Sequence, residues 1–155
     1  MTFVIDASVV VKWLFDDPDN ERYTALATDL MAAVVAGDVD VVQPPHWLIE
    51  VGAVLARQTP ERAQRDLVLL DALGLPTRSS PATLARACTL AVDLEHHLFD
   101  TLYHATALEY HACLITADDR YHRKARTLAG ISHLRDWNPT VSEFAAHPNP
   151  GAERH

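Results

Sequence analysis

Thr2-Phe3-Val4-Ile5-Asp6-Ala7-Ser8 follows the initial Met1. Thr2 to Ile5 is a short β-branched and apolar run, which reads as a buried strand. Asp6-Ala7-Ser8 ends it, and Ser8 is placed to cap a short helix through Val9, Val10, Trp13 and Leu14. A similar run, Cys113 to Thr116, ends two residues before Asp118. Between the two lie stretches of helical spacing, and that alternation decides the fold class.

Outward from the first strand, Asp16 to Asn20 is a loop carrying helix-start signals. Tyr23, Leu26, Ala27, Leu30 and Val34 keep helical spacing over 21–36, and Gly37 suits the position just past a helix end. A second strand is expected over 40–43, stopped by Pro44-Pro45. Helices are expected over 46–58, over 60–73 with Pro60 in its first turn, from Pro81 after Ser80, over 98–110 and over 118–129. Leu84, Ala87, Cys88, Ala91 and Val92 mark the inward face of the helix after Ser80. Leu75 to Arg78 is expected as a third strand and Ile131 to Leu134 as a fifth. Parallel neighbours need a crossover, so this order predicts an α/β three-layer sandwich around a mostly parallel sheet of four to five short strands. One domain is expected over 1–137, with 138–155 a C-terminal extension that is loose at its end.

The composition is that of an ordinary globular protein: 155 residues, 48% hydrophobic and 22% charged. That excludes a disordered tail, a fibre and a coiled coil. No apolar run approaches the roughly 18 residues of a membrane span, no secretory signal pattern opens the chain, and two cysteines make no disulfide framework. A soluble protein of the cytoplasm, without membrane association, is the expectation. The net charge is −8, distributed as −7 over 1–50, −2 over 51–117 and +1 over 118–155. Non-specific duplex binding runs on phosphate neutralisation, so this balance argues against an indiscriminate polyanion binder.

Sites in open parallel sheets form outside the carboxyl ends of the strands. Asp6 and Asp118, the latter after Thr116, arrive at one such edge. On the helix over 46–58, Glu50 lies about 100° from the centre of the Trp47, Leu48, Val51, Val54 and Leu55 stripe. On the helix over 98–110, Asp100 lies about 100° from the centre of the stripe of Phe99, Leu102, Tyr103, Thr106 and Tyr110. Both acids border a buried stripe, from which a carboxylate can reach a cleft at the sheet edge. Each acid alone has a local explanation: Asp6 as a turn residue, Asp118 as a helix cap, Glu50 and Asp100 as partners of surface bases. Four carboxylates at one edge repel one another, however, and such clusters persist mainly where a cation neutralises them. An all-oxygen set points to a hard ion, Mg²⁺ or Mn²⁺.

The terminal strand into Asp6-Ala7-Ser8, Glu50 within Pro44-Pro45-His46-Trp47-Leu48-Ile49-Glu50-Val51, Asp100 before Tyr103, and Thr116-Ala117-Asp118 together resemble a PIN-domain ribonuclease. Within that family the chain is similar to VapC-type toxins of bacterial toxin–antitoxin pairs, over residues 1 to about 137. The resemblance implies that Asp6, Glu50, Asp100 and Asp118 form an acidic metal site, supported by Ser8 and Thr116. Asp119 is an extra acid beside Asp118, and either of the two is left as the one facing the metal. Tyr121 stands where the family often has an apolar or aromatic residue. The implied activity is endoribonuclease action on structured RNA such as tRNA or ribosomal RNA, with Mg²⁺ or Mn²⁺ activating water for in-line attack. The implied partners are a cognate antitoxin and a second copy of the chain.

Arg120, Arg123, Lys124 and Arg126 follow Asp118 closely, and their spacing makes a basic stripe that can hold phosphates or be an ordinary solvated face. Arg57, Arg62 and Arg65 read as surface. His97, Asp100 and His104 share a helix face, but no zinc-type His or Cys motif is present, and the histidines near Asp100 (His96, His97, His104) are not part of the family pattern. Cys88 and Cys113 read as core residues. Two other classes remain. A phosphotransferase with Asp6 as nucleophile fits poorly, because Ser8 stands where the haloacid dehalogenase type has a second Asp and no Gly-rich phosphate loop occurs. A non-catalytic module with a degenerate site fits poorly with four retained acids.

Overall fold

The computed structural model describes residues 1–139. Its centre is a four-stranded parallel sheet in the order β2-β1-β3-β4, formed by β1 (Thr2–Ile5), β2 (Asp40–Val41), β3 (Cys113–Thr116) and β4 (Ile131–His133). Seven α-helices flank it among the described residues: α1 (Ala7–Val10), α2 (Glu21–Ala36), α3 (Trp47–Gln58), α4 (Ala63–Asp71), α5 (Pro81–Leu94), α6 (Leu98–Glu109) and α7 (Asp119–Ala125). This is the α/β architecture that the strand–helix alternation predicts, with four strands. The main core gathers Val4, Ile5, Leu30, Val51, Leu55, Tyr103, Leu114, Ile115 and Leu134, all essentially inaccessible.

The central pair positions everything else. Ile5 lies opposite Ile115, and the Asp6 amide donates to the Ile115 carbonyl at 3.0 Å, so both strands end side by side. On the other side β2 is only two residues long, shorter than the expected 40–43. The ladder continues by other means. The Val42 amide donates to the Phe3 carbonyl at 3.0 Å. Then the buried side-chain amide of Gln43 takes over: Oε1 accepts from the Ile5 amide at 2.8 Å and Nε2 donates to the Ile5 carbonyl at 2.9 Å. The Gln43 main chain is thereby free to pair outward, accepting from Arg78 at 3.0 Å and donating to the Pro76 carbonyl at 2.8 Å.

Several expectations are corrected. Leu75 to Arg78 is not a strand but a single bridge, Gln43 to Thr77, because Pro76 has no N–H to extend a ladder. The cap of α1 is Asp6, not Ser8: the Asp6 carboxylate accepts from the Ser8 amide, and Ser8 sits within the helix. Helix α4 begins at Ala63 rather than Pro60, since Thr59 leaves helical geometry at the end of α3 and Thr59 to Arg62 form a turn. Helix α7 stops at Ala125, short of 129, before Gly130 turns the chain at φ +73°. On α5 the inward stripe is Thr83, Ala87 and Leu90, whereas Leu84, Cys88 and Val92 are exposed. Apolar residues occupy both faces of that helix, so periodicity could not pick the buried one. Phe99 is 63% exposed rather than part of a buried stripe. Helix α6 packs against α5 on one side and against β1 and β3 on another, which buries an unbroken run from Thr101 to Ala107 instead of one stripe. The expected loose end from 140 onward lies outside the described residues.

Replacing Gln43 with Ala removes the partners of both Ile5 backbone groups in a dry environment. Each orphaned buried group costs about 1–3 kcal/mol, so Gln43→Ala is expected to lower the unfolding free energy by about 2–5 kcal/mol in urea titration. A loss below about 0.5 kcal/mol would show that the ladder does not depend on this side chain.

Candidate active site

Asp6 is 8% exposed, at the joined ends of β1 and β3. The Ser8 hydroxyl makes a very short hydrogen bond to its Oδ2. The Thr116 hydroxyl donates to the same oxygen at 3.1 Å, and the Ser8 amide reaches it at 3.4 Å. The two hydroxyls are themselves held: Ser8 Oγ accepts from the Ala117 amide at 2.9 Å, and Thr116 Oγ1 accepts from the Asp118 amide at 3.0 Å. Ser8 and Thr116 thus lock one oxygen of Asp6.

Asp118 is the N-cap of α7. Its Oδ1 accepts from the Arg120 and Tyr121 amides at 2.9 and 3.0 Å. Capping uses one carboxylate oxygen, so cap and site roles coexist in one residue. Asp119 points elsewhere, its Oδ1 lying 3.0 Å from His133 Nε2 and 3.4 Å from Arg135 Nη1.

Asp100 is in the first turn of α6, and α6 is fixed by its contact with α5, where the Thr101 hydroxyl donates to the Ala87 carbonyl at 2.9 Å and Arg86 pairs with Glu109 at 2.6 Å. Asp100 Oδ2 lies 2.8 Å from His96 Nε2. One ligand atom each from His96, Asp100 and Asp118 lie within 4.8 Å of one another. Glu50 comes from the first turn of α3, with its Oε2 3.2 Å from His46 Nε2. The His46 ring rests on Phe99 and Tyr103, at centroid distances of 5.5 and 4.8 Å, and its Nε2 also meets the Phe99 carbonyl at 2.9 Å. That contact ties α3 to α6.

The acids act on one another. Burial is the main force pushing the Asp6 carboxyl up to about 7, and the charges of Glu50 and Asp100 add to it against the opposing Ser8 and Thr116 hydrogen bonds. Asp100 is likewise raised, by burial and then by Glu50, with Asp118 adding and His96 opposing. Tyr103, whose hydroxyl is buried beside the acids, is raised by burial and then by Asp6, Glu50 and Asp100. The structure therefore brings Asp6, Glu50, Asp100 and Asp118 into one electrostatic group.

The basic residues divide. Arg120, Arg123 and Arg126 are exposed. Lys124 is half-buried, donating to the Glu95 carbonyl at 2.8 Å with Nζ 3.3 Å from His96 Nδ1. Of the histidines, His97 does not pair with Asp100, and His104 is buried in the interior, its Nε2 donating to the Ala129 carbonyl at 2.7 Å and its Nδ1 accepting from Tyr121 at 2.9 Å. The shared face of His97, Asp100 and His104 is not a cluster in space. His96, His46 and Tyr103 were not singled out from sequence as site residues. The i, i+4 spacings of His46 to Glu50 and His96 to Asp100 are the signal that marks the two histidines.

The sequence matches the PIN domain over residues 3–127, and the chain belongs to that family. Two solved structures share the fold. One is PAE2754 from Pyrobaculum aerophilum, 17% identical, with a TM-score of 0.62 over 95% of this chain and 97% of that one. The other is VapBC2 from Rickettsia felis, described as bound to a DNA fragment from its promoter, 15% identical, with a TM-score of 0.63 over 89% of this chain and 100% of that one. No curated protein matches the chain significantly.

The Asp6 shift has a signed consequence for stability. A carboxyl whose folded pKa lies above its unfolded value binds protons more tightly when folded, so stability is greatest at low pH and falls as pH rises toward 7. For a shift from 3.8 to about 7 the loss reaches an order of 4 kcal/mol, at 1.36 kcal/mol per unit. Asp6→Asn keeps an acceptor for Ser8 and Thr116 and removes the charge. In chelator, that variant is expected to unfold at a higher temperature than the parent at pH 8, with the difference shrinking toward pH 5. A variant less stable than the parent at pH 8 would contradict this.

Proposed function

We propose that this chain is a Mg²⁺- or Mn²⁺-dependent endoribonuclease and the toxin half of a toxin–antitoxin pair. The observation that carries the reading is the convergence of Asp6, Glu50, Asp100 and Asp118 at the carboxyl end of the sheet in a PIN-domain chain. A divalent cation fits these residues. Glu50 Oε2 is buried, and the His46 nitrogen 3.2 Å from it already meets the Phe99 carbonyl at 2.9 Å. Burial pushes the Asp6 carboxyl up, with Glu50 and Asp100 adding to it, and the four acids offer hard oxygen donors. Asp6, Glu50, Asp100 and Asp118 would hold the ion. When bound, it supplies Lewis-acid polarisation of a phosphoryl oxygen and lowers the pKa of water at the site.

The chain's own residues do the rest. Ser8 and Thr116 fix the Asp6 carboxylate so that it need not reorganise when substrate arrives. His46 holds Glu50 from α3, and the α5–α6 pair holds Asp100. Arg120, Arg123 and Arg126, exposed beyond Asp118, would offer positive charge to phosphates of the RNA. Asp119, paired with His133 and Arg135, orients α7 against β4 rather than serving the ion.

The partners follow from the same reading. The VapBC2 likeness supports an antitoxin as partner, and the net charge of −7 over residues 1–50 suits a basic antitoxin segment. The exposed Leu84, Cys88 and Val92, at i, i+4 and i+8 on α5, form an apolar stripe that a second copy would cover. No helix among the described residues is long and apolar enough to cross a membrane.

Purified protein is expected to cleave structured RNA, tRNA or ribosomal RNA, with Mg²⁺ or Mn²⁺ and to stop in EDTA. Asp6→Asn is expected to lower the rate by roughly 100-fold or more. Chelator-resistant cleavage, or full activity in Asp6→Asn, would overturn the reading. Arg123→Glu is expected to raise KM with kcat little changed, more so at low salt. An unchanged KM would remove Arg123 from the RNA surface. Light scattering at micromolar concentration is expected to give the mass of a dimer that Val92→Glu shifts toward monomer, and a monomeric parent would remove the second copy.

A further inference from the structure

His96 is the group beside the four acids that the proposed chemistry leaves without a role. It precedes α6, and its side chain is only 4% exposed. The ring lies against Tyr121, at a centroid distance of 4.9 Å. Nε2 is 2.8 Å from Asp100 Oδ2, and Nδ1 is 3.3 Å from Lys124 Nζ. Lys124 comes from α7, and the Glu95 carbonyl anchors its ammonium at 2.8 Å.

Donor and acceptor rules decide the state of the ring. An ammonium donates and cannot accept, so the nitrogen facing Lys124 must be the acceptor. The imidazole proton is therefore on Nε2, which donates it to Asp100. In that tautomer Nε2 has no lone pair for a cation, although His96 offers a ring nitrogen within 4.8 Å of the Asp100 and Asp118 oxygens. Direct ligation would require the proton on Nδ1, pointed at a positive charge.

We propose that Lys124 and His96 form a positioning pair: Lys124 sets the His96 tautomer, and His96 Nε2–H holds the Asp100 carboxylate in place for a cation shared with Asp118. His96 is then a positioning residue and not a ligand. Lys124 serves the acidic site from behind, which removes it from the basic stripe that meets RNA. The pair also gives α7 two tasks, since its first residues follow Asp118 and its last turn fixes Asp100 through His96. This inference rests on the cation of the proposed nuclease, but its test does not depend on cleavage.

Three measurements on the full chain decide it. Nitrogen-15 NMR of metal-free parent protein is expected to show His96 protonated at Nε2 and not at Nδ1. Protonation at Nδ1 alone overturns the proposal without any variant being made. Pulsed EPR of bound Mn²⁺ is expected to show no histidine nitrogen coupling, and a coupling that vanishes in His96→Leu would make His96 a ligand. Mn²⁺ affinity is expected to fall roughly 10- to 100-fold in His96→Leu. His96→Gln, whose amide can donate to Asp100, is expected to recover part of it, and Lys124→Met to lose a smaller share. Unchanged affinity in His96→Leu would overturn the pairing while leaving the nuclease reading intact. A parent protein that binds no Mn²⁺ would overturn both.

Discussion

The structure depends on a carboxylate kept in a dry place. Asp6 ends the central strand, is almost inaccessible, and spends one oxygen on two hydroxyls and an amide. Burying a charge costs several kcal/mol unless something compensates. Hydrogen bonds from Ser8 and Thr116 compensate in part, yet burial, with the charges of Glu50 and Asp100 adding to it, still pushes the carboxyl up to about 7. A fold selected for stability alone would not assemble this arrangement. The sheet edge gathers the carboxylates of Asp6, Glu50 and Asp100 against the cost of burying them together.

The rest of the architecture serves that edge. Gln43 extends the short β2 by side-chain pairing and so keeps Ile5, the residue before Asp6, in register. His46 ties α3 to α6 at the level of Glu50 and Asp100. His104, locked between Tyr121 and the Ala129 carbonyl, joins α6 to α7 inside the protein, and burial holds it in the neutral form that this hydrogen-bond pattern requires. The acids thus arrive from four separate elements, each braced by a contact that is not itself acidic. Such bracing fixes the positions of the four carboxylates before anything binds to them.

Much of this is legible in the sequence. The strands at 2–5 and 113–116 announce themselves by continuous apolar runs, and the crossover rule makes them parallel, which alone brings Asp6 and Asp118 to the same edge. Helical angles place Glu50 beside the buried stripe of α3, whereas the stripe expected on α6 gives way to a continuous buried run just after Asp100. What was not legible was mostly long-range. Nothing local to Lys124 says that it meets His96, 28 residues earlier in the chain. Nothing near Gln43 says that its side chain substitutes for a strand. The buried face of α5 is not legible in its sequence because Leu84 and Val92 are as apolar as Leu90, and only the position of α6 decides which are covered. The choice between Asp118 and Asp119 likewise turns on β4, whose His133 draws Asp119 away.

The claim that these acids are one cation site has a direct test in the protons they release. Burial pushes the Asp6 carboxyl up to about 7, so a divalent ion entering the site at pH 6 is expected to displace a proton. Calorimetric titration of Mn²⁺ at pH 6 in buffers of different ionisation enthalpy is predicted to show release of about one proton per ion bound, falling close to zero at pH 8.5. Binding with no buffer dependence at pH 6, or no binding at millimolar Mn²⁺, would contradict the account.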